Sequence, residues 1–348
     1  MSAPASKTNR YSRQSGFAPL GEQGQRKIGD STIVICGCGA LGSVVANTLA
    51  RAGVGKLRII DRDYLEWNNL QRQVLYTEKD VDAGIPKAVA AKAHLEEINS
   101  DIEIEAVVGH ISADNVIELV RDADCIVDGT DNFETRFLIN DAAIKLNIPW
   151  IYGGCIGSEG QTMTIIPEQT PCLHCLMQAG PPPPGTTPTC DSTGILGSVI
   201  NVIASIQALE ALKIVSGNVN QISPYLHVFD LWENRARQVK LAALLDLKTC
   251  PTCHERDFKW LAAQHGSSTA VLCGRNAVQV NFHNEQSVSL DQLADKLKQF
   301  GTVTANAYLL RAQINDFQLT VFPDGRAIIQ GTDDPNTAHS VYAKYIGN

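Results

Sequence analysis

The chain is expected to fold as an α/β protein: a doubly wound, Rossmann-like, mostly parallel sheet with an antiparallel extension, followed by a small α+β domain. Three observations predict this. Short β-branched runs alternate with helical patterns up to about residue 155. Strand patterns then follow one another around a Pro-rich loop and one long apolar helix. After a polar bridge, "LAAQHGSST", a compact mixture of strands and helices closes the chain.

The elements follow in order. A helical arm is expected over residues 1–30. "STIVICG" is a strand that ends in a Gly-rich turn, and "ALGSVVANTLARAG" has the apolar spacing of a helix. "KLRIID" is the next strand, "KAVAAKAHLEEIN" a helix and "DIEIEAVV" a strand. "DCIVDGTDN" is a strand with a polar end, "FETRFLINDAAIKLN" a helix and "PWIYGG" another strand. Strands separated by helices pair in parallel, with right-handed crossovers. "GQTMTIIP", "YLHVFD" and "ARQVKLAAL" supply the antiparallel extension. The main domain is expected over 31–255 and the small one over 266–348. In the latter, "AVLCGRNAVQVN", "AYLLRAQI" and "FQLTVFPDGRAIIQG" are strands, with a hairpin at "FPDGRA", and "SLDQLADKLKQF" and "TAHSVYAKYIG" are helices.

Bulk properties narrow the function. The 348 residues suffice for about two domains. Thirty-seven acidic against 29 basic residues give a net charge of −8, which argues against a general binder of nucleic acid or anionic membrane. The N-terminus lacks the apolar core of an export signal. "GILGSVINVIASIQALEALKIV" is long enough to span a membrane, but Asn201, Gln207, Glu210 and Lys213 interrupt it and favour a core helix. The expected compartment is the cytoplasm, where ten cysteines point to metal or redox chemistry before disulfides.

"GCGALG", Gly37 to Gly42, matches G-x-G-x-x-G between a strand and a helix. Such a turn lets backbone approach phosphate oxygens at a helix N-terminus. Asp61 ends the next strand 19 residues after Gly42, where a carboxylate can bind ribose hydroxyls. The turn alone fits NAD as well as ATP, or a tight bend with no ligand. Asn69 and Arg72 follow in "NNLQRQ", Lys87 opens the next helix, and Asp131 ends a further strand. Two cations and a carboxylate able to hold Mg²⁺ suit a triphosphate. Their bland alternatives are solvated side chains and a helix cap.

"PCLHC" and "CPTC" place Cys172, Cys175, Cys250 and Cys253 as two CxxC pairs. Four thiolates can close a structural zinc site, although the 74 intervening residues exceed a zinc-ribbon gap. A redox dithiol or two disulfides are the alternatives, and His174 and His254 are spare ligands. Cys36, Cys38, Cys125 and Cys155 read as small apolar fillers, and Cys273 as a strand residue. Cys190, behind four prolines and before "DSTG", is either a nucleophile that takes a covalent adduct or a dispensable exposed thiol.

"RYSRQ", "GCGALGS", "NNLQRQ", "PKA", "DGTDNFETR", "PCLHC", "PTCDSTGILG" and "CPTC" occur in order from about Arg10 to Cys253, about seven-tenths of the chain. In this the sequence resembles the ThiF/MoeB/HesA family, bacterial relatives of ubiquitin-activating enzymes. The resemblance implies ATP-dependent adenylation of the C-terminal glycine of a ubiquitin-like sulfur-carrier protein (ThiS/MoaD-like), with pyrophosphate released. The implied purpose is sulfur transfer in thiamine or molybdenum cofactor biosynthesis. By position it assigns Gly37, Gly39, Ala40 and Gly42 to the phosphate turn and Asp61 to the ribose. Asn69 and Arg72 go to the phosphates, Lys87 to the α-phosphate, and Asp131 to Mg²⁺ with Asn132 beside it. Arg13 resembles an arginine that reaches the ATP of a second subunit, which implies a homodimer. The four paired cysteines would hold structural zinc, and Cys190 occupies the family's loop cysteine. A sulfur donor such as a cysteine desulfurase is a further expected partner. Asn68 and Ala40 depart from the family's usual Ser and Gly without removing a charge. An NAD-dependent oxidoreductase and a non-catalytic scaffold for a ubiquitin-like protein stand as alternative functions.

Overall fold

The computed structural model describes residues 10–181, 193–245, 249–262, 269–272, 276–280 and 288–347. Cys190 and Cys273 lie outside these residues. The chain divides into two compact units, the larger extending to residue 265 and the smaller built mainly from residue 266 on.

Two short helices, α1 (Ser12–Ser15) and α2 (Gly21–Gly29), precede the sheet of the larger unit. Five parallel strands follow: β1 (Thr32–Cys36), β2 (Lys56–Asp61), β3 (Glu103–Val108), β4 (Cys125–Asp128) and β5 (Trp150–Ile156). Then come the antiparallel strands β6 (Glu159–Ile165), β7 (Tyr225–Asp230) and β8 (Arg235–Lys240). The spatial order is β3-β2-β1-β4-β5-β6-β7-β8. It reverses between β1 and β4, where open α/β sheets place their ligand crevice.

Helices cover both faces. Ile33 and Ile35 of β1 enter one core with α3 (Ala40–Ala52), α4 (Glu78–Asp82), α5 (Lys87–Ile98) and the long helix Gly197–Val215. Val34 and Cys36 enter the other, with α6 (Val116–Val120) and α7 (Phe133–Leu146). The period of two along a strand sends neighbours to opposite faces, so a parallel strand buried on both sides reads as continuously apolar. Gly197–Val215 is long and apolar enough to cross a membrane, yet Ile203, Ala204, Gln207, Ala208 and Ala211 are buried in the protein. It is the expected core helix. "ARQVKLAAL" forms a strand only to Lys240, because "AALL", rich in helix formers, turns helical at Ala242–Leu245.

In the smaller unit β9 (Thr269–Leu272), β10 (Ala277–Val280), β11 (Thr302–Ala305), β12 (Leu310–Ile314), β13 (Phe317–Val321) and β14 (Ala327–Gln330) lie in the antiparallel order β11-β12-β13-β14-β10-β9. "AVLCGRNAVQVN" is not one strand but two paired ones, β9 (Thr269–Leu272) and β10 (Ala277–Val280). Asn276 has a positive φ of 44°, which marks the chain reversal. β11 (Thr302–Ala305) is a strand that the pattern did not signal; it pairs with β12 (Leu310–Ile314). The "FPDGRA" hairpin joins β13 (Phe317–Val321) to β14 (Ala327–Gln330), with Gly325 at φ 80°. Helices Leu290–Leu297 and Pro335–Tyr345 share one core with these strands.

Gly160 on β6 is one point where the long helix packs close against the sheet. A Cβ there would lie 2.5 Å from Ile203 Cγ1 and 2.8 Å from Val199 Cγ2. Gly160→Val is expected to destabilise the larger unit by about 1–3 kcal/mol, as overpacking does. Chemical denaturation measures it, and an unchanged midpoint would show that the helix yields freely.

Candidate active site and cysteine cluster

The candidate site is built at the carboxyl edge of the parallel strands. Cys36 pairs with both Ile60 and Asp128, so β1, β2 and β4 end side by side. The Gly37 N–H donates to Ile60 O at 2.7 Å, and the Gly129 N–H donates to Cys36 O at 2.8 Å. Gly37 has φ 89°, and a Cβ on it would lie 2.7 Å from Gly129 O. A Cβ on Gly42 would overlap the Gly37 carbonyl oxygen. Gly39 caps α3 and faces open space except for Gln73 Nε2, 3.9 Å from its would-be Cβ. Two glycines thus serve close packing, and the middle one keeps the mouth of the helix open. The first N–H groups of α3, which begins at Ala40, have no intrahelical acceptors and could seat an anion.

Asp61 closes the turn. Its Oδ2 accepts from the Cys38 N–H at 2.6 Å and its Oδ1 from the Asp63 N–H at 2.7 Å. Burial pushes its carboxyl above the usual carboxylate range, while the Lys87 ammonium opposes that rise. Burial also pushes the Cys38 thiol up to about 12, which makes it a filler and not a nucleophile. Tyr76 donates its hydroxyl to Cys38 O at 2.6 Å. Lys87 is buried at the start of α5, with Nζ 3.3 Å from Asp63 Oδ2 and its N–H donating to Asp63 O at 2.9 Å.

Asn69 is buried, and its Oδ1 accepts from the Glu66 N–H at 3.2 Å. Arg72 is partly exposed and donates to Asn68 O at 2.7 Å. Asp131 is exposed beyond β4. Asn132 caps α7 by accepting from the Thr135 N–H at 2.8 Å. The turn between β4 and Asp131 rests on a buried pair, Arg136 Nε to Asp128 Oδ2 at 3.0 Å. Gln207, from the long helix, donates to Asp128 O at 2.8 Å.

Arg13 is elsewhere. Gln14 donates to Ala52 O at 2.8 Å, and Asn99 donates to the Tyr11 hydroxyl at 2.8 Å. Those contacts put α1 at the far end of α3, about 20 Å from Gly39 at 1.5 Å per residue. Arg13 is exposed there, so within one chain the fold does not bring it to the turn.

The two CxxC pairs do meet. Cys172, Cys175, Cys250 and Cys253 have their sulfurs all within 4.8 Å of one another. Three separations are 3.8, 3.7 and 3.3 Å. A tetrahedral ion with bonds of about 2.3 Å needs sulfurs about 3.8 Å apart, so the four fit one metal ion. His174 is not drawn inward as a ligand. Its Nδ1 lies 3.0 Å from Thr252 Oγ1, and the Thr252 hydroxyl donates to Asp141 Oδ1 at 3.0 Å. Asp141 Oδ2 accepts from the Trp260 N–H at 3.0 Å, and Asn140 Oδ1 accepts from the Leu173 N–H at 2.9 Å. Burial pushes the Asp141 carboxyl up to about 6. Helix α7 thereby grips both cysteine segments.

Asp63, Tyr76, Arg136 and Asp141 are missing from the sequence reading. Asp63, two residues after Asp61, was the most legible of them. The others sit in helical or loop patterns where nothing local marks their partners.

The model of the ThiF family matches residues 11–252. The sulfur carrier protein ThiS adenylyltransferase of Bacillus subtilis is 47% identical over 341 residues, covering 98% of this chain and 100% of that protein. The adenylyltransferase and sulfurtransferase MOCS3 of Anopheles gambiae is 37% identical over 246 residues, 71% of this chain and 55% of that protein, so the chain spans only about half of it. Among solved structures, that of E. coli MccB with ATP is similar with a TM-score of 0.58 at 26% identity, over 67% of this chain and 71% of that one.

Replacing Cys172 with Ser leaves three sulfurs in a buried cluster that fits four. The expected outcome is loss of most bound metal by elemental analysis, with a drop in thermal midpoint. Equal metal content in variant and wild type would mean that the cluster is not the metal site.

Proposed function

Because the chain belongs to the ThiF family, we propose that it activates a ThiS-like sulfur-carrier protein by transferring AMP from ATP to the carrier's C-terminal glycine. The observation that carries this reading is one edge that holds the Gly37–Gly42 turn, Asp61, Lys87 and Asp131 together. The Bacillus relative matches over nearly the whole chain, including the smaller unit, which favours the thiamine branch over the molybdenum cofactor branch.

The reaction needs alignment more than acid–base work. The carrier's carboxylate is ionised near pH 7 and attacks the α-phosphorus, with pyrophosphate leaving. The gain comes from fixed positive charge where negative charge spreads in the transition state. Lys87 is suited to the α-phosphate, since its ammonium is buried and held beside Asp63. Arg72 and Asn69 are assigned to the other phosphates, the amides of Gly39 and Ala40 to the anion seat, and Asp61 to the ribose. Asp131, with Asn132 next to it, is assigned to Mg²⁺, which one carboxylate and substrate phosphates commonly hold. Bound there, Mg²⁺ would neutralise phosphate charge. Arg13 is assigned to the site of a second copy, because α1 packs at the wrong end of α3 to serve its own. A homodimer follows from that assignment.

The four cysteines are assigned to structural zinc, on the fit of their sulfur separations. Cys190 is assigned a covalent role during sulfur transfer, with a cysteine desulfurase or similar donor as a second partner. The cytoplasm is the assigned compartment.

The test is ATP–pyrophosphate exchange with ThiS-type and MoaD-type carriers ending in Gly-Gly. Exchange should require the carrier, and Lys87→Ala should lower it by about 100-fold or more, the usual cost of losing one preorganised charge. Tight NAD binding without ATP binding would instead favour an oxidoreductase. A variant Asp131→Ala with full biological activity would favour a scaffold.

A further inference from the structure

Arg136 is nearly buried, at 7% exposure, and Asp128 beside it is fully buried. Its guanidinium does more than neutralise that carboxylate. Nε donates to Asp128 Oδ2 at 3.0 Å. Nη2 donates to Thr130 O at 2.7 Å and to Gly153 O at 3.0 Å. The rings of Phe133 and Tyr152 each lie 5.3 Å from its central carbon and fix its plane. Asp128 answers from the other side. Its Oδ1 accepts from the Thr130 N–H at 2.9 Å and from the Thr130 hydroxyl at 2.7 Å.

Thr130 is therefore held through its N–H, its hydroxyl and its carbonyl. The carbonyl matters most. It belongs to the planar peptide that joins Thr130 to Asp131, so fixing that oxygen fixes the plane from which Asp131 departs. The same turn abuts the phosphate loop, since a Cβ on Gly37 would lie 3.1 Å from Thr130 N. A buried ion pair is by itself weak evidence for stability. Here its donors are spent on the backbone next to a carboxylate that the fold leaves exposed.

We infer that Arg136 is a positioning residue: by fixing the Thr130–Asp131 peptide it sets the Asp131 carboxylate where it would hold the nucleotide's divalent ion. The inference deepens the functional reading above and rests on its assignment of Asp131. Arg136 touches neither nucleotide nor metal in this role. Lysine cannot replace it, because one ammonium lacks the planar fork that serves Asp128, Thr130 and Gly153 at once.

The test compares wild type, Arg136→Lys and Thr130→Val. Thr130→Val removes the hydroxyl contact to Asp128 and so loosens the other half of the clamp on the Thr130–Asp131 peptide; it tests the same clamp should Arg136→Lys fail to fold. ATP affinity is measured by calorimetry with Mg²⁺ and again with EDTA, beside thermal unfolding. The expected result is about a tenfold loss with Mg²⁺, the usual scale for losing a group that orients a ligand, and little loss with EDTA. Equal losses in both conditions would reveal a merely structural role and overturn the inference. No loss in either folded variant, or no ATP binding by wild type, would overturn it as well. A wild type that binds ATP but gives no carrier-dependent exchange would refute the carrier reading, while the Mg²⁺ split would still decide the role of Arg136.

Discussion

Gly37, Gly42 and Gly129 place three stretches of backbone closer together than any side chain would permit. The strand-end edge that carries the candidate site depends on that contact. It lets β1 end in a turn that leans on the end of β4, and it lets α3 start directly over that turn. Asp61 then accepts the Cys38 N–H and ties the end of β2 to the same point. Each link is short and directional, so the strand ends and the turn are fixed relative to one another.

Helix α7 joins this edge to the cysteine cluster. Its N-terminal end carries the Asn132 cap and the Arg136 clamp, and about one turn further Asn140 and Asp141 hold the two CxxC segments. One helix therefore borders both the candidate site and the cysteine cluster. The hydrogen-bonded chain from His174 through Thr252 to Asp141 crosses from one CxxC segment to the other. Such a chain fixes the two segments relative to one another, as a four-sulfur metal site would require.

Much of the edge was legible in the sequence because its pieces are local. A strand, a G-x-G-x-x-G turn and a helix lie within about twenty residues, and each signals itself by period or by glycine. Asp61 and Lys87 do sit at ends of such elements, whereas Asp131, expected to end a strand, lies three residues past β4 because the strand stops at Asp128. Arg136 was not, since a charged residue in a helix looks solvated until its partners on β4 and β5 are known. The hairpin of β9 and β10 was misread as one strand because both arms share the same β-rich composition. β11 was missed because "TVTA" is a four-residue strand with mostly exposed side chains.

By itself the sequence determined the alternation of strands and helices, the glycine turn before α3 and the paired cysteines, all written in spacings of a few residues. Only the tertiary structure decided which distant groups meet. It closed the 74-residue gap between the CxxC pairs into one cluster, turned Arg136 inward onto Thr130, and carried Arg13 to the far end of α3. The physical reason is that periodicity and turn chemistry act within a segment. Burial, hydrogen-bond satisfaction and charge pairing are settled only when segments far apart in the chain compete for the same space.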